Sequence, residues 1–142
     1  MKSIVVGTDG SPNAEAAVAR AAQIAKGTGA VLHLVTAYPD DTSFGEGIVS
    51  SAKRVRIDLR EVAESLLTRV ERELEPEGVQ VVTDARAGEP AKVIVDVAQE
   101  QDADLIVVGA RGLTGFERFL LGSVSSKLSH HAPCDLMIVR AD

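Results

Sequence analysis

The segment DLIVVGARGLTGFERFLLGSVSSKLSHH, residues 104–131, decides how the rest of the chain is read. It opens on an unbroken run of Leu, Ile and Val. Strands that are continuously apolar, rather than alternating, are covered on both faces, which is the habit of parallel sheets. Three glycines follow, Gly109, Gly112 and Gly122, and a helical pattern begins with Ser123-Val124-Ser125. A glycine at a strand end lets backbone approach another group closely or take a positive φ. Gly122-Ser123 at a helix entry, with Ser123 as the expected N-cap, aims unpaired N–H groups and a hydroxyl at one point. That is an anion site, reinforced by the helix dipole. Arg111 adds a full charge. Each glycine alone would serve a turn; three in one connection point to a phosphate.

The same kind of apolar run recurs along the chain: IVVGT (4–8), VLHLVTA (31–37), VQVVTDA (79–85), DLIVVGA (104–110) and DLMIVR (135–140). Helical patterns separate them. Residues 13–26 place Ala14, Ala17, Val18, Ala21, Ile24 and Ala25 on one stripe, and residues 52–75 do the same with Val55, Leu59, Val62, Leu66, Val70 and Leu74. Pro90 opens a third helix, where proline fits the first turn, and Ser123 a fourth. The order β-α-β-α-β-α-β-α-β predicts a single domain over 1–142, a doubly wound parallel α/β sheet with helices on both faces. Ligands of such sheets lie beyond the carboxyl ends of the strands. Four segments reach that edge: 8–12, 37–51, 86–89 and the glycine-rich stretch. The longest connection, 39–51, reads as a mobile surface loop, with a lid over the ligand edge as its second reading.

Composition excludes several classes. With 142 residues, 45% hydrophobic and 25% charged, the chain suits one ordinary soluble domain. Its net charge of −6 leaves no basic excess for nucleic acid or an acidic membrane. A single small phosphate compound needs only a local site. One cysteine, Cys134, allows no internal disulfide, and the start MKSIVVGTDGSP is not shaped like a secretion signal, so a cytoplasmic location is expected. Scarce aromatics argue against a flavin clamp. A phosphoacceptor domain would want a lysine and a closing helix after its fifth strand, where this chain has Arg140 and two further residues. His130 and His131 read as favourable charge at a helix C-terminus, and Cys134 as a buried inert thiol. Asp9, directly after the first strand with Thr8, has two readings from sequence. It accepts hydrogen bonds from a ribose, or it makes an Asx turn or cap ahead of the first helix.

GARG, nine residues and then GS reproduce the G-x2-G-x9-G-[ST] spacing of the ATP-binding universal stress proteins. The opening IVVGTDGSPNAEAAVARAAQIA resembles that family's first strand, Asp-Gly-Ser turn and first helix, and residues 103–140 resemble its C-terminal half. The resemblance implies a flavodoxin-like or Rossmann-like five-stranded sheet of order 3-2-1-4-5 and a homodimer. It implies that Gly109, Arg111, Gly112, Gly122, Ser123, Val124 and Ser125 surround the ribose and phosphates of ATP. It places Thr8 and Asp9 at the adenosine portion or a Mg-water shell, with Mg held through the phosphates. It places the backbone of Ala37 against adenine.

Three functional readings follow. The first is a nucleotide-dependent regulatory or stress-response protein that binds ATP. The second is a slow ATP hydrolase: no GxxxxGK[ST] loop is present, and Asp9 and the remote Glu46 are the only acids to consider, so efficient turnover is not expected. The third is a cyclic AMP binder using the same cradle. The terminal strand, from Asp135 to Arg140, should lie at a sheet edge with no later element to cover it, which favours pairing with a second copy.

Overall fold

The computed structural model describes residues 1–40, 58–111 and 122–141. Its strands are β1 (Ser3–Gly7), β2 (Val31–Tyr38), β3 (Val81–Ala87), β4 (Leu105–Gly109) and β5 (Asp135–Val139). They form one sheet in the order β3-β2-β1-β4-β5, with every neighbouring pair parallel. The helices are α1 (Pro12–Thr28), α2 (Leu59–Leu74), α3 (Pro90–Glu100) and α4 (Ser123–His131). The chain leaves β1 for β2 and β3 on one side, then crosses back to β4 and β5 on the other. The expected α/β architecture and strand order are therefore those observed.

Continuous apolar strands arise because both faces of the central sheet are covered. Ile4, Val6, Leu32, Leu34 and Val107 pack with residues of α1 and α2. Val5, Val35, Ile106 and Val108 pack with α3 and with Leu128 of α4. Ile4, Val5 and Val6 are all fully buried, so successive residues of β1 enter opposite layers. Each such side chain contributes about 1.5–3 kcal/mol by leaving water. On α1 the contacts fall to Ala14, Ala17, Ala21, Ala22 and Ala25, small enough for the helix to sit close to the sheet. Ser11 caps its start by accepting from the Ala14 N–H, and Gly29, at φ 77°, closes its end.

The edge strand β3 departs from expectation. It pairs from Val81 to Ala87, two residues later than the apolar run suggested. Gly78, at φ 68°, ends a 3-10 turn over Glu75–Glu77, and the Gln80 carbonyl makes the first bond to β2 by accepting the Leu32 N–H (2.9 Å). Its outer positions are polar. Arg86 binds Glu100 of α3 through both terminal nitrogens (2.5 and 2.8 Å) and Asp84 through Nε (3.0 Å). These carboxylates, Glu100 foremost, push the guanidinium pKa further up. Charge at an edge discourages pairing with another strand.

Of the helix expected over 52–75, residues 59–74 are helical and 52–57 lie outside the described residues, as does most of the loop 39–51. Ser123 is the first helical residue of α4 rather than its cap. Gly122 occupies the N-cap position at φ −66°, ψ 166°, and supplies no side chain to the end of the helix. His130 and His131 stand in its last turn, as expected. Cys134 is half-buried rather than buried, and the partial burial pushes its thiol pKa up.

Candidate functional site

The carboxyl edge is shaped by β1 stopping before its neighbours. Thr8, just past β1, still donates its N–H to the Val35 carbonyl (2.9 Å). The chain then turns away. The Gly10 N–H reaches Thr8 Oγ1 (3.2 Å) and the Ser11 N–H reaches Asp9 Oδ1 (2.9 Å), an Asx turn. Gly10 sits at φ 81°, where a side chain would be strained. Ser11, 1% exposed, is the helix cap, so Asp9 does not compete for that position. The Asp9 side chain lies exposed at the edge.

On β2 the backbone groups of successive residues face alternate neighbours. The Val35 carbonyl accepts from Thr8, on the β1 side, and the Tyr38 carbonyl accepts from Gly88 (2.9 Å), on the β3 side. Ala37 therefore presents its N–H and C=O to the lane β1 has vacated. Among the described residues, neither group has a hydrogen-bond partner there. Instead, the Thr36 hydroxyl donates to the Thr8 carbonyl (2.9 Å) within the buried sheet. An open amide donor and acceptor, side by side at a sheet edge, suit a planar group with the complementary pair.

Across the vacated lane stands the β4–α4 junction. The Ala110 N–H donates to the Val139 carbonyl (2.8 Å), and the Ala110 carbonyl accepts from the Gly122 N–H (2.6 Å). Ser125 is 1% exposed, and its hydroxyl is shared between the carbonyls of Ala110 (3.0 Å) and Gly122 (3.1 Å). Its observed work is to fasten the start of α4 to the end of β4. Ser123 is exposed at the helix entry, and Val124 is half-buried against the α3 layer. The first N–H groups of any helix lack intrahelical partners, so this junction offers donors to an anion.

Gly109 has an intramolecular reason to be glycine. A Cβ there would lie 2.7 Å from the carbonyl carbon of Asn13 and 2.8 Å from its oxygen. The first turn of α1 thus packs directly on the end of β4. Asn13 Oδ1 also accepts the Ala141 N–H (3.0 Å), tying the segment after β5 to the same turn. Arg111 follows as a half-buried residue, and Gly112 lies outside the described residues, as do Glu46 and Arg118.

Nearby charge is organised around Glu89, which caps α3 by accepting from the N–H groups of Ala91 (3.1 Å) and Lys92 (3.0 Å). Lys127 of α4 approaches it to 3.3 Å. Burial would raise the Glu89 pKa, but the two N–H groups and the ammonium outweigh it, so the net shift is downward. Lys127 therefore already has a carboxylate partner. Among the described residues no three His, Cys, Asp or Glu side chains converge as a metal site.

The structure thus brings Thr8, Asp9, Ala37, Gly109, Arg111, Gly122, Ser123, Val124 and Ser125 to one edge of the sheet. Ser11 caps α1 as a serine ahead of a helix should, whereas Thr36 and Asn13, which also shape that edge, carry no sequence signal that singles them out. A β-branched polar residue inside VLHLVTA is ordinary, and its partner lies on another strand.

A doubly wound sheet with an open carboxyl edge between β2 and β4 is the class these observations define. Residues 1–140 match the model of the universal stress protein family, and the chain belongs to that family. It is 36% identical to a universal stress protein of Methanocaldococcus jannaschii over 141 residues, 98% of this chain and 82% of the relative. Among solved structures it is similar to the universal stress protein UspA from Lactobacillus plantarum (TM-score 0.84, 26% identity, 98% of this chain and 97% of the other). It is also similar to a universal stress protein solved in complex with cAMP (TM-score 0.74, 31% identity, 99% and 98% covered).

Proposed function

We propose that this chain binds an adenine nucleotide along its carboxyl edge, with ATP as the ligand, and acts as a nucleotide-dependent regulatory protein of the stress response. The observation that carries the reading is the open N–H and C=O pair of Ala37, facing the α4 entry across the lane left by β1. Adenine offers the complement, a ring nitrogen acceptor beside an exocyclic amino donor. In this reading the ribose lies near Thr8 and Asp9. The phosphates lie against Gly109, Arg111, Gly112, Gly122 and the Ser123–Val124–Ser125 turn, as the G-x2-G-x9-G-[ST] spacing suggests. Mg would ride on the phosphates, with Asp9 the acid near enough to its water shell. Such an edge binds and orients, and in this reading the role is occupancy rather than turnover.

Cyclic AMP is the second reading, favoured by the relative solved with that ligand. One purification separates the two. The protein is prepared without added nucleotide and denatured, and any released small molecule is identified by mass and then titrated back. ATP or ADP supports the first reading and cyclic AMP the second. An empty protein that fails to bind either on titration refutes both. The second expectation is a homodimer through β5, which is apolar from Leu136 to Val139 after Asp135 and has an outer edge unpaired among the described residues, whereas β3 carries Asp84 and Arg86. Monomeric sedimentation at micromolar concentration would refute it.

A further inference from the structure

The β1–β2 ladder ends one rung early. Its last pair is Gly7 with Val35, followed by the Thr8 N–H bond to the Val35 carbonyl. The next rung of a parallel ladder would join the Ala37 N–H to the Thr8 carbonyl. That carbonyl is held instead by the Thr36 hydroxyl at 2.9 Å. Thr8 and Thr36 are 7% and 6% exposed, so water is a poor competitor for either group. A buried carbonyl left without a donor is costly, and the nearest backbone donor in line is the amide of Ala37.

We propose that Thr36 is a positioning residue for base recognition: by satisfying the Thr8 carbonyl with its side chain, it ends the β1–β2 ladder and keeps the N–H and C=O of Ala37 available as an adenine-reading pair. This rests on the adenine reading above. It extends that reading by naming what holds the pair open. The selectivity follows from the order of donor and acceptor. Adenine presents an acceptor next to an amino donor, whereas guanine presents a ring N–H donor next to a carbonyl acceptor. An Ala37 amide drawn into the ladder would keep only its carbonyl for the ligand, and the preference for adenine would fall with it.

Two variants and one ligand-free measurement test this. Thr36→Val keeps size and β-branching but removes the hydroxyl; Thr36→Ser keeps the hydroxyl. Titration of each with ATP and GTP should show Thr36→Val losing about tenfold in ATP affinity, the worth of one buried hydrogen bond, with the ATP-over-GTP preference reduced. Thr36→Ser should stay within about threefold of the parent. In parallel, amide hydrogen exchange at Ala37 is followed without nucleotide. The Ala37 amide should exchange freely in the parent and become protected in Thr36→Val. Parental ATP affinity and preference in folded Thr36→Val would overturn the proposal. So would equal losses in the Ser and Val variants, or an Ala37 amide already protected in the nucleotide-free parent. That last result stands even if Thr36→Val does not fold. If the parent binds neither nucleotide, the adenine reading fails, while Ala37 exchange still judges the role of Thr36 in ending the ladder.

Discussion

Gly109→Ala offers the sharpest test of how α1 is seated. The added Cβ would stand 2.7 Å from the Asn13 carbonyl carbon, 2.8 Å from its oxygen and 2.9 Å from its Cβ. Carbon atoms sit comfortably at about 3.5 Å or more, so the first turn of α1 must withdraw by about 0.8 Å. It has little freedom to do so. Ala17 and Ala21 are fully buried beneath the helix, and Asn13 is also bonded to Ala141. Overpacking against immovable backbone costs about 1–3 kcal/mol. For a domain of this size that lowers Tm by roughly 3–10 °C. Gly7→Ala is the internal control. Its Cβ would meet Ile94 Cδ1 at 2.6 Å, nearer still, but that atom is the tip of a side chain that can rotate. Thermal unfolding by circular dichroism should therefore show a Tm loss for Gly109→Ala at least twice that for Gly7→Ala. A Gly109→Ala protein melting within about 1 °C of the parent would refute the close seating of α1 on β4.

Three further outcomes are expected. Gly122 has φ −66°, which other residues adopt, so Gly122→Val should cost only about 1 kcal/mol as a poorer N-cap yet weaken ATP binding at least tenfold in a titration, by crowding the entry of α4. Unchanged affinity in the folded variant would remove Gly122 from the phosphate cradle. Asp9→Asn should weaken ATP binding about threefold to tenfold, with hydrolysis at background in both parent and variant; a parental rate well above background that the substitution abolishes would make the protein a hydrolase. Burial lowers the His33 pKa below its ordinary 6.5 against the opposing pull of Asp84, with Arg86 and Glu100 beyond it. The folded state then binds fewer protons than the unfolded chain. Its contribution to stability is present above pH 6.5 and lost as pH falls toward the lowered folded value. Urea unfolding should show stability declining from pH 7.5 to 5.5, and His33→Gln should flatten that decline; an equally steep variant would acquit His33.

The sheet was legible in the sequence because burial on two faces leaves a mark that needs no partner to read. Runs such as IVVG and LIVVG are apolar at every position, and each became a central strand. β3 was misplaced by two residues because an edge strand, covered on one side and charged at Asp84 and Arg86, loses that continuous mark. The ligand edge was legible only in part. Glycine spacing marks a connection where backbone comes close to something, but not to what. For Gly109 the structure supplies an internal neighbour, Asn13, from a turn ninety-six positions earlier in the numbering. Ser123 looked like a cap because serine usually caps; Gly122 took that position instead. Ser125 fell within the expected cradle, yet its hydroxyl is spent on two carbonyls that only the folded junction brings together. Thr36 left no trace, since its importance lies in an acceptor on β1.

The central place of β1 also bears on how the molecule assembles in time. Its partner on one side, β2, follows within a few dozen residues, but its partner on the other, β4, pairs Ile4 with Leu105 and lies a hundred residues downstream. During synthesis, β1, β2 and β3 with α1 and α2 are made first, and they already contain most of one layer of the core. The opposite layer, where Val5 meets Ile94 and Ile106, waits for the last third of the chain. Until then a fully apolar strand has one flank and one face uncovered. Non-local pairings of this kind slow folding and leave sticky surface available to other chains. The stability of the finished sheet does nothing for that half-built state, in which the open flank of β1 is available to other chains.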